Sequence, residues 1–107
     1  MEENFMRVLV MFDMPTGTKL ERKASAKFRQ RLLKEGFFMM QFSVYCRICK
    51  GIASANSCMN KIESFVPQKG HVRALILTEK QFDRMRIFVG YKSATEEAQA
   101  PVQLSVL

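Results

Sequence analysis

Asp13 is the residue placed best for chemistry in this chain. It follows an almost unbroken apolar run, Phe5 to Phe12, and precedes Met14-Pro15-Thr16-Gly17. The run, interrupted only by Arg7, reads as a strand buried on both faces, and the Pro-Thr-Gly stretch reads as a turn. A carboxylate at the carboxyl end of a central strand is positioned to hold Mg²⁺ or Mn²⁺ near a phosphate. The same side chain could instead cap the turn by accepting hydrogen bonds from its backbone amides, as Asx turns do. One carboxylate is too few for an all-protein metal cage, so metal binding calls for a second copy brought up by a two-fold axis.

Other reactive side chains are sparse. Cys46 and Cys49 form a C-x-x-C, but zinc would need two further ligands, and Cys58 and His71 sit at no regular spacing from it. Positions three apart on a strand point to opposite faces, so these read as core and surface cysteines. His71 is the single histidine, which gives a Ser-His-Asp system little support. The five glycines are scattered and form no phosphate-cradling loop.

Positive charge is what the chain has in quantity. Seventeen Lys and Arg stand against ten Asp and Glu, a formal net charge of +7 with pI near 9.7. Much of it lies on one helical stretch carrying Lys19, Arg22, Lys23, Lys27, Arg29, Arg31 and Lys34, opposed only by Glu21 and Glu35. We assign backbone phosphate contacts to Lys19, Arg22, Lys23, Lys27 and Arg31, extended by Arg47 and Lys50. The aromatics fall at core periodicity, so base stacking is not expected. A hydrophobic content of 48% excludes disorder by composition. The apolar runs fall far short of the ~20 residues that span a bilayer. Glu2 and Glu3 carry the wrong charge for a secretory leader, and three cysteines, an odd number, suit a reducing compartment. A cytoplasmic protein without membrane contact is expected.

The elements that must position these groups follow from local signals. Thr18-Lys19-Leu20-Glu21 is a capping box that opens a helix. Leu20, Ala24, Phe28 and Leu32, with Leu33 beside them, give it an apolar stripe, and Gly36 ends it. Phe37 to Ile48 reads as two strands broken near Gln41-Phe42. A second helix is predicted from Ile52 to Val66, with Ile52, Ala55, Met59, Ile62 and Val66 on one face and Pro67 as its stop. His71–Thr78 reads as a strand, 80–84 as a polar connection and 85–89 as another strand. The stretch 91–101 reads as low in order, and Val102, Leu104 and Val106 alternate as a final strand. The fold class is therefore α+β, a ferredoxin-like βαββαβ domain over residues 1–90 with extra C-terminal strands. A tail at 91–107 is expected to pair its strand with a partner protomer. Helices cover one face of such a sheet, so the apolar character of the other face predicts a face-to-face homodimer.

Several stretches together resemble one family, the small CRISPR-associated adaptation protein that is the second of the two core spacer-acquisition proteins. They are Met11-Phe12-Asp13-Met14-Pro15-Thr16, Glu21-Arg22-Lys23-Ala24 with Lys27-Phe28-Arg29, Glu35-Gly36-Phe37 leading to Gln41-Phe42-Ser43-Val44-Tyr45, and Leu77-Thr78-Glu79-Lys80-Gln81-Phe82. The similarity covers most of residues 7–90 and looks closest to members from type II systems. It implies a ferredoxin-like homodimer that binds double-stranded DNA and bridges dimers of the CRISPR-associated integrase during spacer acquisition, in antiviral defence. It also implies a second activity, a metal-dependent endonuclease acting on single-stranded RNA or double-stranded DNA, with the metal-binding and catalytic aspartate falling on Asp13. Many relatives carry an arginine where this chain has Met39, a departure that removes one candidate phosphate contact. One carboxylate and no evident general base favour holding nucleic acid over cutting it.

Overall fold

The computed structural model describes residues 5–90. The expected low-order stretch at 91–101 and the strand at 102–106 lie outside the described residues. The elements run β1 (Phe5–Asp13), α1 (Lys19–Lys34), β2 (Phe38–Gln41), β3 (Val44–Lys50), α2 (Ile52–Glu63), β4 (His71–Thr78) and α3 (Glu79–Asp83). The strands form one antiparallel sheet in the order β2-β3-β1-β4. Element order and strand order together are those of the ferredoxin-like βαββαβ plan.

Alternation along β1 builds the core. Val8, Val10 and Phe12 pack with Phe28 and Leu32 of α1, with Ala55, Cys58 and Ile62 of α2, and with Tyr45 and Cys49 of β3. Phe12 anchors an aromatic cluster, meeting Phe28 edge-on at 5.0 Å and stacking on Tyr45 at 5.7 Å. Both helices therefore lie on one face of the sheet, as the fold requires.

The capping box at Thr18 forms as predicted. Glu21 N donates to Thr18 Oγ1 at 3.1 Å and Thr18 N donates to Glu21 Oε1 at 3.0 Å. The predicted α1 stripe is corrected. Ser25, Phe28 and Leu32 are buried, whereas Leu20 is 78% exposed and Leu33 52%. A strict four-residue spacing advances about 40° per step on a 3.6-residue helix. The four stripe residues thus wind around the helix, and only the C-terminal pair meets the sheet. On α2 the buried residues are Ala55, Cys58 and Ile62. The helix ends at Glu63, which leaves Val66 beyond it and exposed, as is Ile52 in the first turn.

Two further expectations fail after β4. The polar connection at 80–84 is the helix α3, opened by a second capping box in which Gln81 N donates to Thr78 Oγ1 at 3.0 Å and Thr78 N donates to Gln81 Oε1 at 2.9 Å. The expected strand at 85–89 is reduced to an isolated bridge at Phe88. The apolar residues there, Met85, Ile87 and Phe88, stay exposed rather than joining the sheet.

Candidate functional site

Asp13 is the last residue of β1. Because side chains alternate, Arg7, Leu9, Met11 and Asp13 point away from the helices to the open face of the sheet. In the β1–β4 register Asp13 stands opposite His71, and Met11 opposite Arg73. Asp13 and His71 are both exposed. Among the described residues, no side-chain hydrogen bond or ion pair engages Asp13. The turn-capping alternative is therefore not the one adopted. The turn is held instead by the capping box of α1 and by Arg22, whose Nη1 donates to the Thr16 carbonyl at 3.1 Å.

Two features hold the end of β1 in place. Gly70, with φ +99°, lies so close that a Cβ there would stand 2.7 Å from the Asp13 carbonyl oxygen and 3.1 Å from Met14 Cα. Glycine is required at this position both for its backbone angle and for the approach. On the other side, Phe12 N donates to the Ser43 carbonyl at 3.1 Å. Ser43 has a positive φ of 67°, and its Oγ accepts from Arg29 Nη2 at 2.9 Å. The Arg29 guanidinium lies 4.0 Å from the Phe42 ring and 4.7 Å from the Phe12 ring. The Gln41-Phe42-Ser43 segment thus works as turn chemistry that pins the β2–β3 turn to β1 and α1.

The cations predicted to meet phosphate divide into two groups. Lys19, Lys23 and Lys27 are exposed on the outward side of α1 and form no ion pair among the described residues. Arg22 is exposed beside the Asp13 turn. Arg31 instead pairs with Glu35 at 2.9 Å and stacks on Phe65 at 4.5 Å. This contact holds the Glu35 carboxyl below its ordinary range. Arg47 points to the helix side, where its Nη1 reaches Cys58 Sγ at 3.7 Å. Lys50 pairs in register with Phe5 at the far end of the sheet. A nine-residue strand places that end roughly 26 Å from Asp13. The fold therefore brings Arg22 to the turn after Asp13, and turns Arg31, Arg47 and Lys50 to other contacts or to the far end of the sheet.

Residues 6–85 match the sequence profile of the family described as CRISPR associated protein Cas2. The chain belongs to that family. A Campylobacter jejuni protein named CRISPR-associated endoribonuclease Cas2 is 56% identical over 89 residues, covering 83% of this chain, and the chain spans 62% of that relative's length. Proteins of the same name from Ligilactobacillus salivarius and Parvibaculum lavamentivorans are 49% and 45% identical, over 81% and 94% of this chain and 86% and 99% of theirs.

Some residues that shape this Cas2-family sheet are invisible in the sequence pattern. Arg7, in mid-strand, donates through Nε and Nη2 to Glu79 at 2.7 and 3.2 Å, and its guanidinium lies 4.0 Å from the Phe82 ring. That pairing lowers the Glu79 carboxyl from its ordinary value and draws α3 over part of the open face. It also corrects the expected surface cysteine. Cys46 is fully buried on the open-face side, where Arg7 Nη1 approaches its Sγ at 3.9 Å, while Cys49 and Cys58 lie in the helix-side core. Burial raises the Cys46 thiol and pushes the Cys58 thiol up to about 11, so both stay protonated at neutral pH. Gly70 and Arg73 beside Asp13 find no place in the sequence reading, and His71 enters it only as an irregularly spaced zinc-ligand candidate. The only local signal was a glycine just before a strand.

Proposed function

We propose that this chain is the nucleic-acid-holding subunit of CRISPR adaptation, a cytoplasmic homodimer that binds double-stranded DNA and bridges dimers of the CRISPR-associated integrase. The observation that carries this reading is the exposed, unpaired row of Lys19, Lys23 and Lys27, continued by Arg22, on a rigid helix. Ammonium groups without carboxylate partners gain most from a polyanion, because phosphate contact releases condensed counterions. The dimer surface in this reading is the open sheet face, where Phe5, Phe38, Ile48 and Leu75 are exposed together. Replacing Lys19, Lys23 and Lys27 by Ala is expected to flatten the salt dependence of duplex affinity by about 0.9 log units per lost phosphate contact. An unchanged slope would remove α1 from the interface.

A second reading, a metal-dependent endonuclease acting through paired Asp13 residues, is favoured by one observation: the Asp13 carboxylate is exposed and engaged by no described side chain. The relatives' name, endoribonuclease, agrees with it. An all-oxygen donor of this kind fits Mg²⁺ or Mn²⁺. Bound there, the metal would polarise a phosphate and activate water. The chain's own contribution is to aim Asp13, through Gly70 and the Phe12–Ser43 hydrogen bond, and to offset phosphate charge with Arg22 and Lys19. Asp13→Ala separates the two readings. Loss of cleavage with spacer integration intact makes holding the primary role. Cleavage at the parent rate ends the catalytic reading.

A further inference from the structure

We propose that His71 is a second metal-binding residue beside Asp13, so that each protomer offers a carboxylate and an imidazole to one divalent ion and takes Mn²⁺ in preference to Mg²⁺. The inference rests on the reading of Asp13 as a metal ligand and extends it. Asp13 and His71 are direct cross-strand partners at the ends of β1 and β4. Opposed residues of an antiparallel pair carry their Cβ atoms about 4.5–5.5 Å apart on the same face. At that separation a carboxylate oxygen and an imidazole nitrogen can both reach a single divalent ion.

Three further observations support the pair. Both side chains are exposed on the open face. Neither is engaged by a hydrogen bond or ion pair with another described residue, so binding an ion costs no existing contact. The two strand ends are held close, because Gly70 packs its backbone against the Asp13 carbonyl immediately before His71. No other histidine exists in the chain to supply an imidazole.

The donor set decides the metal. Carboxylate and water alone suit Mg²⁺, whereas an added imidazole shifts preference toward first-row transition ions. Arg73, two residues along β4 and opposite Met11, shares the face. Its guanidinium is a fixed positive charge that meets a phosphate oxygen rather than the ion.

The single histidine makes the test direct. Substoichiometric Mn²⁺ is added to the full chain while the imidazole proton resonances are followed by NMR, and Mn²⁺ and Mg²⁺ affinities are measured by calorimetry. Wild type is expected to show selective broadening of the His71 signals, and Asp13→Ala to lose it. His71→Asn is expected to weaken Mn²⁺ binding at least about tenfold and to leave Mg²⁺ binding unchanged. His71→Gln, equally exposed, repeats the measurement should the Asn variant fold poorly. If Asp13→Ala leaves both affinities intact, the metal reading of Asp13 itself fails. If Asp13→Ala abolishes binding but the His71 variants bind Mn²⁺ as wild type does, only the imidazole ligand is overturned. No broadening in wild type overturns it as well.

Discussion

The two faces of the sheet carry similar apolar residues and meet different fates. On the helix face, Val8, Val10 and Phe12 are sealed under α1 and α2. On the open face, Leu9 and Cys46 are buried, yet Phe5, Phe38, Ile48 and Leu75 around them stay 37–50% exposed. There, among the described residues, only α3 folds over the sheet, tethered by the Arg7–Glu79 pair. Composition does not separate a core face from an open one. What separates them is whether a described element covers the face. The open face is also where β1 and β4 present Asp13, His71 and Arg73, so the proposed interface and the candidate chemistry share one surface.

The contrast breaks most sharply at its centre. Leu32→Ala, on a side chain with no exposure, is expected to cost about 3–4 kcal/mol in denaturant unfolding, whereas Ile48→Ala on the open face should cost under about 1 kcal/mol in the isolated protomer. Comparable losses would mean the two faces are equally closed. Gly70→Ala comes next. The positive φ and the approach to Asp13 should together destabilise the fold by about 2–3 kcal/mol and shift the Asp13 and Met14 amide resonances. An unperturbed spectrum would show that Gly70 does not position Asp13.

A smaller effect tests the open face as an interface. Ile48→Glu should weaken self-association at least about tenfold, roughly 1.4 kcal/mol, with the melting curve of the protomer little changed. Sedimentation of wild type as a monomer would remove the dimer altogether. The smallest expected effect belongs to α3. Arg7 lowers the Glu79 carboxyl, so that pair stabilises the fold above the unfolded carboxylate range and loses its effect as pH falls through the lowered value. The melting difference between wild type and Glu79→Gln should be full at pH 7, begin to shrink in the unfolded carboxylate range and close only below the lowered value of the folded carboxyl. Equal melting at every pH would leave α3 held by Phe82 alone.

The sequence by itself determined what depends on neighbours within a few residues. The capping box at Thr18 and the span of β4 were legible, and the break expected near Gln41-Phe42 falls one residue from the turn at 42–43, because caps and turns are local hydrogen-bond geometry and strand alternation has a fixed period. The element order through β4 followed from them, and Asp13 was readable as the end of a strand. The second capping box at Thr78 is equally local, yet residues 80–84 behind it carry no apolar stripe and read as a polar connection. Tertiary structure alone decided the rest. Periodicity shows that a helix has an apolar stripe, but the line along which it meets the sheet leaves Leu20 exposed and Leu32 buried. Arg7 in mid-strand acquired meaning only through Glu79, and Asp13 acquired its neighbours His71 and Gly70 only through the pairing of β1 with β4. These contacts join residues far apart in the chain, and no local period or cap encodes which distant strand closes beside a given carboxylate.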